Sequence, residues 1–260
     1  MGVRRWDGEF MELFLQLYLG HLLGDFLLQP GRLVVAKRDG IPGLILHTLI
    51  VGAATIAVLI GTLRFDWAPA VLVTGLHLVI ERITITTYLH TRTRGLFTFV
   101  MDQALHMLSI ALIVWVAGRW TTVGTGTVFG ISMPTVDLAM LCALLTVMLL
   151  GSIFVFETVN AVLGVEKGRL LRLDAARMGG IVERGSAFAV ALIHPALVAL
   201  PFLPRLILAF TGEREARDRR LVEAAAGLLM CIVGWASVAA IAYLHDGSLD
   251  GLRILTVGLR

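Results

Sequence analysis

The stretch FMELFLQLYLGHLLGDFLLQP, residues 10–30, decides how the chain folds. It is long and apolar enough to cross a bilayer, because about 20 apolar residues in a helix span the hydrocarbon core. Yet it carries His21, Asp25 and Gln29, three polar side chains at intervals of four residues, which a helix presents on one face. The stretch therefore predicts a membrane-spanning helix with a polar face, and that face needs a partner elsewhere in the chain.

The composition of the whole chain extends this interpretation. Of its 260 residues 57% are hydrophobic and 16% are charged, and the mean hydropathy is +0.85. The apolar residues form long blocks without strand-like alternation, which is typical of a helical membrane protein, since lipid admits only helices and closed barrels. The net charge of +3 comes from arginine-rich loops, as in cytoplasmic loops, and so does not indicate a nucleic-acid partner. We predict an all-α, polytopic bundle of transmembrane helices.

About seven spans are predicted, and the sixth is broken by prolines, so that it either crosses once or forms a re-entrant hairpin. A Gly/Thr-rich loop separates a four-helix unit, 1–118, which carries the polar site, from a second unit of about three helices, 119–260. A basic amphipathic segment at 166–180 is predicted to lie at the membrane interface. Lys and Arg concentrate in the loops after spans one, three and five, which predicts that these loops are cytoplasmic. The predicted spans are 10–29, 41–63, 67–89, 96–118, 135–164, 180–211 and 221–244.

Ionisable side chains occur in each of the first four predicted spans, where each costs about 2.5–3.5 kcal/mol at a helix centre on insertion scales. Three spans pair a histidine with a carboxylate four residues away, and their order reverses between antiparallel neighbours. At 1.5 Å per residue, all of them fall in one slab roughly 6–18 Å below the cytoplasmic surface. This slab explains the polar face of residues 10–30. Its members are His21, Asp25, His47, His77, Glu81, Asp102 and His106.

Histidines and carboxylates at one depth favour a divalent metal site of one or two ions, with zinc as the first candidate and iron or manganese as others. A proton or ion pathway and a fully paired structural network are the alternatives. The predicted metal ligands are His21, Asp25, His77, Asp102 and His106, and the predicted catalytic residues are His47 and Glu81. Candidates to support the ligands or contact the substrate are Gln29, Gln103, Glu157, Glu183 and Arg184.

The segments HLLGDFLLQ (21–29), HLVIE (77–81) and MDQALH (101–106), with His47 between them, resemble a bacterial membrane family known as domain of unknown function 3307. The resemblance covers about residues 11–110, with a weaker similarity at 179–188. It implies a multi-pass protein of the bacterial cytoplasmic (inner) membrane and no stated activity. Two departures are Glu81, where an Asp is expected, and Thr84, where a Lys is expected. The family's polar residues correspond to His21, Asp25, Gln29, His47, His77, Asp102, Gln103 and His106.

The predicted function is a metal-dependent hydrolase of a lipid or lipid-linked ester, because a metal with an open position activates water and polarises an ester oxygen. Membrane lipid is the expected partner, and the sequence does not specify an oligomeric state. A metal-ion or proton transporter is the first alternative, but it needs polar groups in the outer halves of spans two and four, which are apolar. A structural subunit of a membrane complex is the second alternative.

Overall fold

The computed structural model of the chain describes residues 8–60, 67–91, 95–117, 127–164 and 175–246. Within these ranges the chain is almost entirely helical, which confirms the predicted all-α class. One short hairpin interrupts the helices. In chain order the elements are α1 (Gly8–Leu22), α2 (Gly31–Asp39), α3 (Ile41–Leu59), α4 (Trp67–Thr91), α5 (Leu96–Ala117), β1 (Thr127–Val128), β2 (Ile131–Ser132), α6 (Thr135–Leu145), α7 (Gly151–Leu163), α8 (Ala175–Ile193), α9 (Leu203–Phe210) and α10 (Arg214–Asp246).

Irregular turns extend or join several of these helices. A π-helical turn, Leu23–Leu27, continues α1, and a second one, Thr146–Leu150, joins α6 to α7. Two 3₁₀ turns, Pro195–Leu197 and Leu200–Phe202, precede α9. Prolines thus break the segment after Ile193, as the sequence predicts.

Five helical segments among the described residues are long and apolar enough to cross a membrane: 41–59, 67–87, 96–117, 135–163 and 214–245. A sixth span is obtained if Phe10–Leu27 and Gly31–Asp39, which meet at a bend of 93°, are counted together. These helices are those of a membrane protein. The apolar stretch Pro195–Phe210 is too short to count, so the seventh span stays a prediction. Residues 166–174 of the predicted interfacial segment lie outside the described residues.

The chain forms two compact units, Met1–Cys142 and Ala143–Arg260. The division predicted from the sequence, at 118/119, stays a prediction, because a grouping of contacts does not identify the parts that fold independently. In the first unit α1 packs against α3 and α5, and α4 lies between α3 and α5. One end of this bundle is apolar: Leu17 of α1 packs there with Ala70, Ile110 and Val114. The polar side chains of the same helices lie toward the other end.

Close contact between α1 and α3 depends on glycines. A Cβ atom on Gly20 would lie 2.6 Å from Thr55 Cα, and one on Gly24 would lie 2.5 Å from Val51 Cα. Small residues four apart let two membrane helices approach to backbone contact, where dispersion and packing hold them together. Because His21 and Asp25 follow these glycines directly, the same contact brings both side chains close to α3.

Replacing Gly24 with Ala is expected to lower the stability of the protein in detergent by about 1–3 kcal/mol, because the added methyl forces α1 away from α3. Thermal unfolding followed by circular dichroism measures the loss. Gly75→Ala on α4 is the matched control, since a Cβ there meets nothing within 4 Å. Equal stability of the two variants would show that the α1–α3 contact is not close-packed.

A second polar pair on α1 fixes the hairpin and α6 rather than the predicted site. Gln16 Nε2 donates to Thr127 O over 2.8 Å, and Thr135 Oγ1 donates to Glu12 Oε1 over 2.8 Å. Five residues separate Gln16 from His21, which is about 140° around a helix. Glu12 and Gln16 therefore face away from the histidine side of α1 and serve packing.

In the second unit α10 packs against α7, α8 and α9. Val155 and Val159 of α7 meet Ala226 of α10 in an apolar cluster. Gly164 ends α7 in the left-handed conformation, with φ of 64°, and its N–H reaches Asn160 O. Such a glycine is the usual helix stop, because it has no Cβ to strain.

Candidate metal site

Four helices and one π-helical turn bring the predicted polar residues together at one end of the first unit. The rings of His21 and His106 have centroids 4.8 Å apart, those of His77 and His106 are 4.6 Å apart, and those of His47 and His77 are 5.1 Å apart. All four rings are buried, with at most 2% of each residue exposed. The metal hypothesis requires this proximity, since a separation of more than roughly 12 Å could not be bridged by metal–nitrogen bonds of about 2.0–2.1 Å.

Three of these histidines form a group that could hold a metal ion, which we call the histidine triad: His21, His77 and His106. One ligand atom from each lies within 4.8 Å of the others. A tetrahedral ion with bonds of about 2.0–2.1 Å places its nitrogens roughly 3.4 Å apart, so small movements suffice. His21 Nε2, His77 Nδ1 and His106 Nε2 are buried and have no hydrogen-bond partner among the described residues. Buried polar atoms are normally paired, and three unpaired nitrogens in one group are what a bound cation would satisfy.

The lone pair of His106 is directed by its backbone contact. His106 Nδ1 lies 2.9 Å from Asp102 O, one turn earlier in α5, and the carbonyl requires a donor. Nδ1 therefore carries the proton, and Nε2 is left with the lone pair. A hydrogen bond that fixes the tautomer in this way is the usual support for a metal-ligating histidine.

A second group adjoins the triad and shares His77 with it. Asp25, His47, His77 and Glu81 offer ligand atoms that also lie within 4.8 Å of one another, and we call them the carboxylate group. His47 Nε2 lies 3.2 Å from Asp25 Oδ1, 3.7 Å from Glu81 Oε1 and 3.0 Å from His77 Nε2. The two carboxylate oxygens around this imidazole nitrogen require a proton or another cation among them.

Lys37 supplies one such cation, and the sequence did not reveal it. Its Nζ lies 2.7 Å from Glu81 Oε1 and 3.9 Å from Asp25 Oδ1. The sequence placed Lys37 among the charges of a cytoplasmic loop, but α2 leaves the bend nearly perpendicular to α1 and carries Lys37 to the carboxylate group. The sequence offers one weak signal: the apolar Leu33 lies one helical turn before Lys37, so the two share a face of α2, and the structure buries Leu33 on that face.

Gln29 links Lys37 to His47. In the amide orientation that satisfies both ends, Gln29 Nε2 donates to Asp25 O over 2.8 Å, and Oε1 accepts from Lys37 Nζ over 2.8 Å and from His47 Nδ1 over 3.1 Å. His47 therefore carries a proton on Nδ1 and directs Nε2 at Asp25 and Glu81. The predicted supporting role of Gln29 has a physical basis in this contact.

Asp102 and Gln103 lie at the less buried margin of the site. Asp102 Oδ1 accepts from Thr84 Oγ1 over 2.9 Å, and Oδ2 accepts from Gln103 Nε2 over 2.9 Å. Asp102 is in neither group of ligand atoms, so its predicted role as a ligand stays a prediction. Thr84 stands where the resemblance predicts a lysine, and it gives Asp102 a neutral donor; the cation of this site comes from Lys37 instead.

Three predicted residues belong to the second unit. Glu157 lies on α7, and Glu183 and Arg184 lie on α8. They are not among the side chains that the first unit brings together. Their predicted contact with a substrate stays a prediction.

Residues 13–129 match the sequence profile of a family described as "Protein of unknown function (DUF3307)". The match confirms the resemblance inferred from the sequence, and it includes both the histidine triad and the carboxylate group. No curated protein and no solved structure matches the chain. Because the family description carries no activity, a function has to be argued from the geometry.

Proposed function

We propose, for a chain whose residues 13–129 match this family of unknown function, a metal-dependent hydrolase of a lipid or lipid-linked ester in the bacterial inner membrane. The observation that carries the proposal is the histidine triad, in which three buried imidazoles each have a ring nitrogen without a hydrogen-bond partner in the described ranges. His21, His77 and His106 would hold one divalent ion, with zinc as the first candidate because three histidines are a common zinc ligand set. Bound there, the ion would supply a Lewis acid and a water molecule with a lowered pKa.

His47 is suited to accept a proton beside the triad. Its Nδ1–H is directed to Gln29, which leaves Nε2 as the basic atom. The imidazolium that forms would be stabilised by Asp25 at 3.2 Å and Glu81 at 3.7 Å. Lys37 holds Glu81 in place through its 2.7 Å contact. His47 would thus be the general base, and Glu81 would position and stabilise it.

The surroundings of Asp102 favour a lipid as the substrate. Asp102 and Gln103 are half-buried, whereas their neighbours Met101 and Leu105 on α5 are exposed apolar residues. An apolar exposed face on a membrane-spanning helix is where acyl chains pack. A lipid alongside α5 would therefore bring its ester or phosphoester to the open margin of the site. The positive-inside pattern of the loops would place this margin in the cytoplasmic leaflet.

A transporter is less well supported. The apolar end of the first unit, where Leu13 and Leu17 pack with Ile110 and Val114, lies beyond the histidines on the same helices. A transported ion would have to cross that layer without polar ligands, which costs free energy that no described side chain offsets.

The proposal predicts that His47→Gln retains metal but loses turnover by about 10²–10⁴-fold, the usual contribution of a general base. The assay incubates metal-loaded protein in mixed micelles with a carboxylic-ester phospholipid and with a phosphate monoester or diester of a lipid, and follows products by mass spectrometry. Turnover should disappear with EDTA and return with zinc.

His194→Gln is the matched control, because the exposed His194 caps a 3₁₀ turn of the second unit and its Nδ1 accepts from the nearby Ala196 N–H. This variant should keep full turnover. Protein that binds metal but cleaves neither class of lipid would refute the hydrolase proposal and leave the metal site standing.

A further inference from the structure

The second unit contains a buried arginine whose guanidinium is only partly used. Arg184 is 4% exposed. Its Nε donates to Val147 O over 3.1 Å and its Nη2 donates to Met148 O over 3.3 Å. Both carbonyls belong to the π-helical turn Thr146–Leu150, where the widened backbone leaves acceptors available. Nη1 makes no hydrogen bond within the described residues.

Arg205 is similarly oriented by its partners. Its Nε donates to both oxygens of Glu183, over 3.0 and 2.8 Å, and its Nη1 donates to Glu223 Oε2. The guanidinium is therefore held in one plane by two carboxylates. Nη2 makes no hydrogen bond within the described part of the chain, and it is the nitrogen left for a further acceptor.

The two remaining nitrogens converge on Gly180. A Cβ atom on this buried glycine would lie 3.2 Å from Arg184 Nη1 and 3.8 Å from Arg205 Nη2. Two guanidinium groups thus reach within 4 Å of one point, and the residue beneath that point has no side chain. Like charges this close repel each other unless an anion lies between them.

The charge of Arg184 is not matched by a contacting carboxylate. In the described part of the chain its printed hydrogen bonds go to neutral carbonyl oxygens. The carboxylates of Glu183 and Glu223 contact Arg205 instead. Buried charge that is not matched by opposite charge is costly, so the Arg184 guanidinium carries a charge that an anion would neutralise.

We infer that Arg184 Nη1 and Arg205 Nη2 bind a phosphate group over Gly180. Guanidinium nitrogens form short, charge-assisted hydrogen bonds with phosphate oxygens, and arginine is the preferred residue for this recognition. An apolar side chain on the same side of α9 as Arg205 favours the phosphate of a lipid headgroup as the source: Leu208, three residues later, is 52% exposed, in position to contact acyl chains. This site does not depend on the metal site of the first unit.

The test compares two lipids with the same acyl chains, phosphatidylglycerol and diacylglycerol, and inorganic phosphate. Each is titrated into the full-length, detergent-purified protein, and binding is followed by native mass spectrometry and by the shift in Tm. Wild-type protein should bind phosphatidylglycerol at least tenfold more tightly than diacylglycerol. Gly180→Leu, which fills the space between the two nitrogens, should lose at least tenfold in that affinity.

Gly179→Leu is the matched control, because a Cβ at this neighbouring exposed glycine meets nothing within 4 Å. It should bind like the wild type. Arg205→Lys, which keeps the charge but removes the planar fork, should bind more weakly than the wild type while remaining folded. If inorganic phosphate binds as tightly as phosphatidylglycerol, the phosphate site is supported, but the proposal that its ligand is a lipid headgroup is overturned. Equal lipid affinity of Gly180→Leu and Gly179→Leu would overturn the inference.

Discussion

Alanine in place of any one triad histidine is expected to reduce the metal content of the purified protein from about one ion per chain to background. An ion held by three imidazoles loses a third of its protein ligands, and the two that remain compete poorly with water and buffer. Elemental analysis by mass spectrometry, after loading with zinc, iron or manganese and desalting, measures the loss. His21→Ala, His77→Ala and His106→Ala should behave alike, because each contributes one nitrogen to the same group.

Two further variants separate a metal site from a structural network. Asp102→Asn should lower the metal content less than the triad variants do, since the Asp102 carboxylate is occupied by Thr84 and Gln103. His194→Ala, in the second unit, should leave it unchanged. If the wild-type protein takes up none of the three metals, or if the triad variants keep their metal and lose only thermal stability, the histidines form a structural network instead.

The convergence of the polar side chains could be predicted because membrane-spanning helices have few degrees of freedom. A helix that crosses a bilayer has a fixed rise per residue, so the position of a side chain along the sequence gives its depth. Antiparallel order then aligns His21, His77 and His106 at one height, and the structure places them in contact. Gly20 and Gly24 in the same stretch also predict a site of close contact between helices.

The pairing of individual residues could not be predicted, because depth says nothing of the arrangement within the slab. Spacing predicts that Asp25 binds the same ion as His21, four residues earlier. In the structure Asp25 lies in a π-helical turn, and its Oδ1 is 3.2 Å from His47 Nε2, whereas its Oδ2 is 3.9 Å from His21 Nε2. The extra residue per turn rotates the carboxylate from the triad toward the carboxylate group.

The bend after the first span also could not be predicted from the sequence. Pro30 indicates that a helix ends nearby, since the residue before a proline avoids the helical region. It does not give the direction in which the next helix leaves. The 93° bend turns α2 nearly perpendicular to α1, and Gly43 admits its backbone against α3. Only this tertiary packing converts Lys37 from a loop charge into part of the site.

Loss of the Lys37 charge is expected to destabilise the metal-free protein and to create a second metal site. In Lys37→Met, Asp25 and Glu81 remain buried together without their ammonium partner, and breaking a buried ion pair from one side costs about 3–5 kcal/mol. A divalent ion bound by Asp25, His47 and Glu81 would restore the balance of charge, so the metal content should rise from about one to about two ions per chain. Methionine keeps most of the length of the lysine stem and hence its packing.

Thermal stability measured without metal and with excess zinc shows whether the effect of Lys37→Met is due to the lost charge. In EDTA, the Tm of Lys37→Met should lie well below that of the wild type, and excess zinc should recover most of this difference in Tm. The Tm of the wild type should rise only by the amount that zinc binding to the histidine triad produces. Arg32→Met removes the same charge from an exposed position of α2 and should match the wild type in both conditions. If Lys37→Met is as stable as the wild type in EDTA, Lys37 does not neutralise the carboxylate group. A variant that is destabilised but still binds one ion would show that Lys37 balances the buried charge without occupying a metal position, because Asp25, His47 and Glu81 would then lack the geometry to hold a second ion.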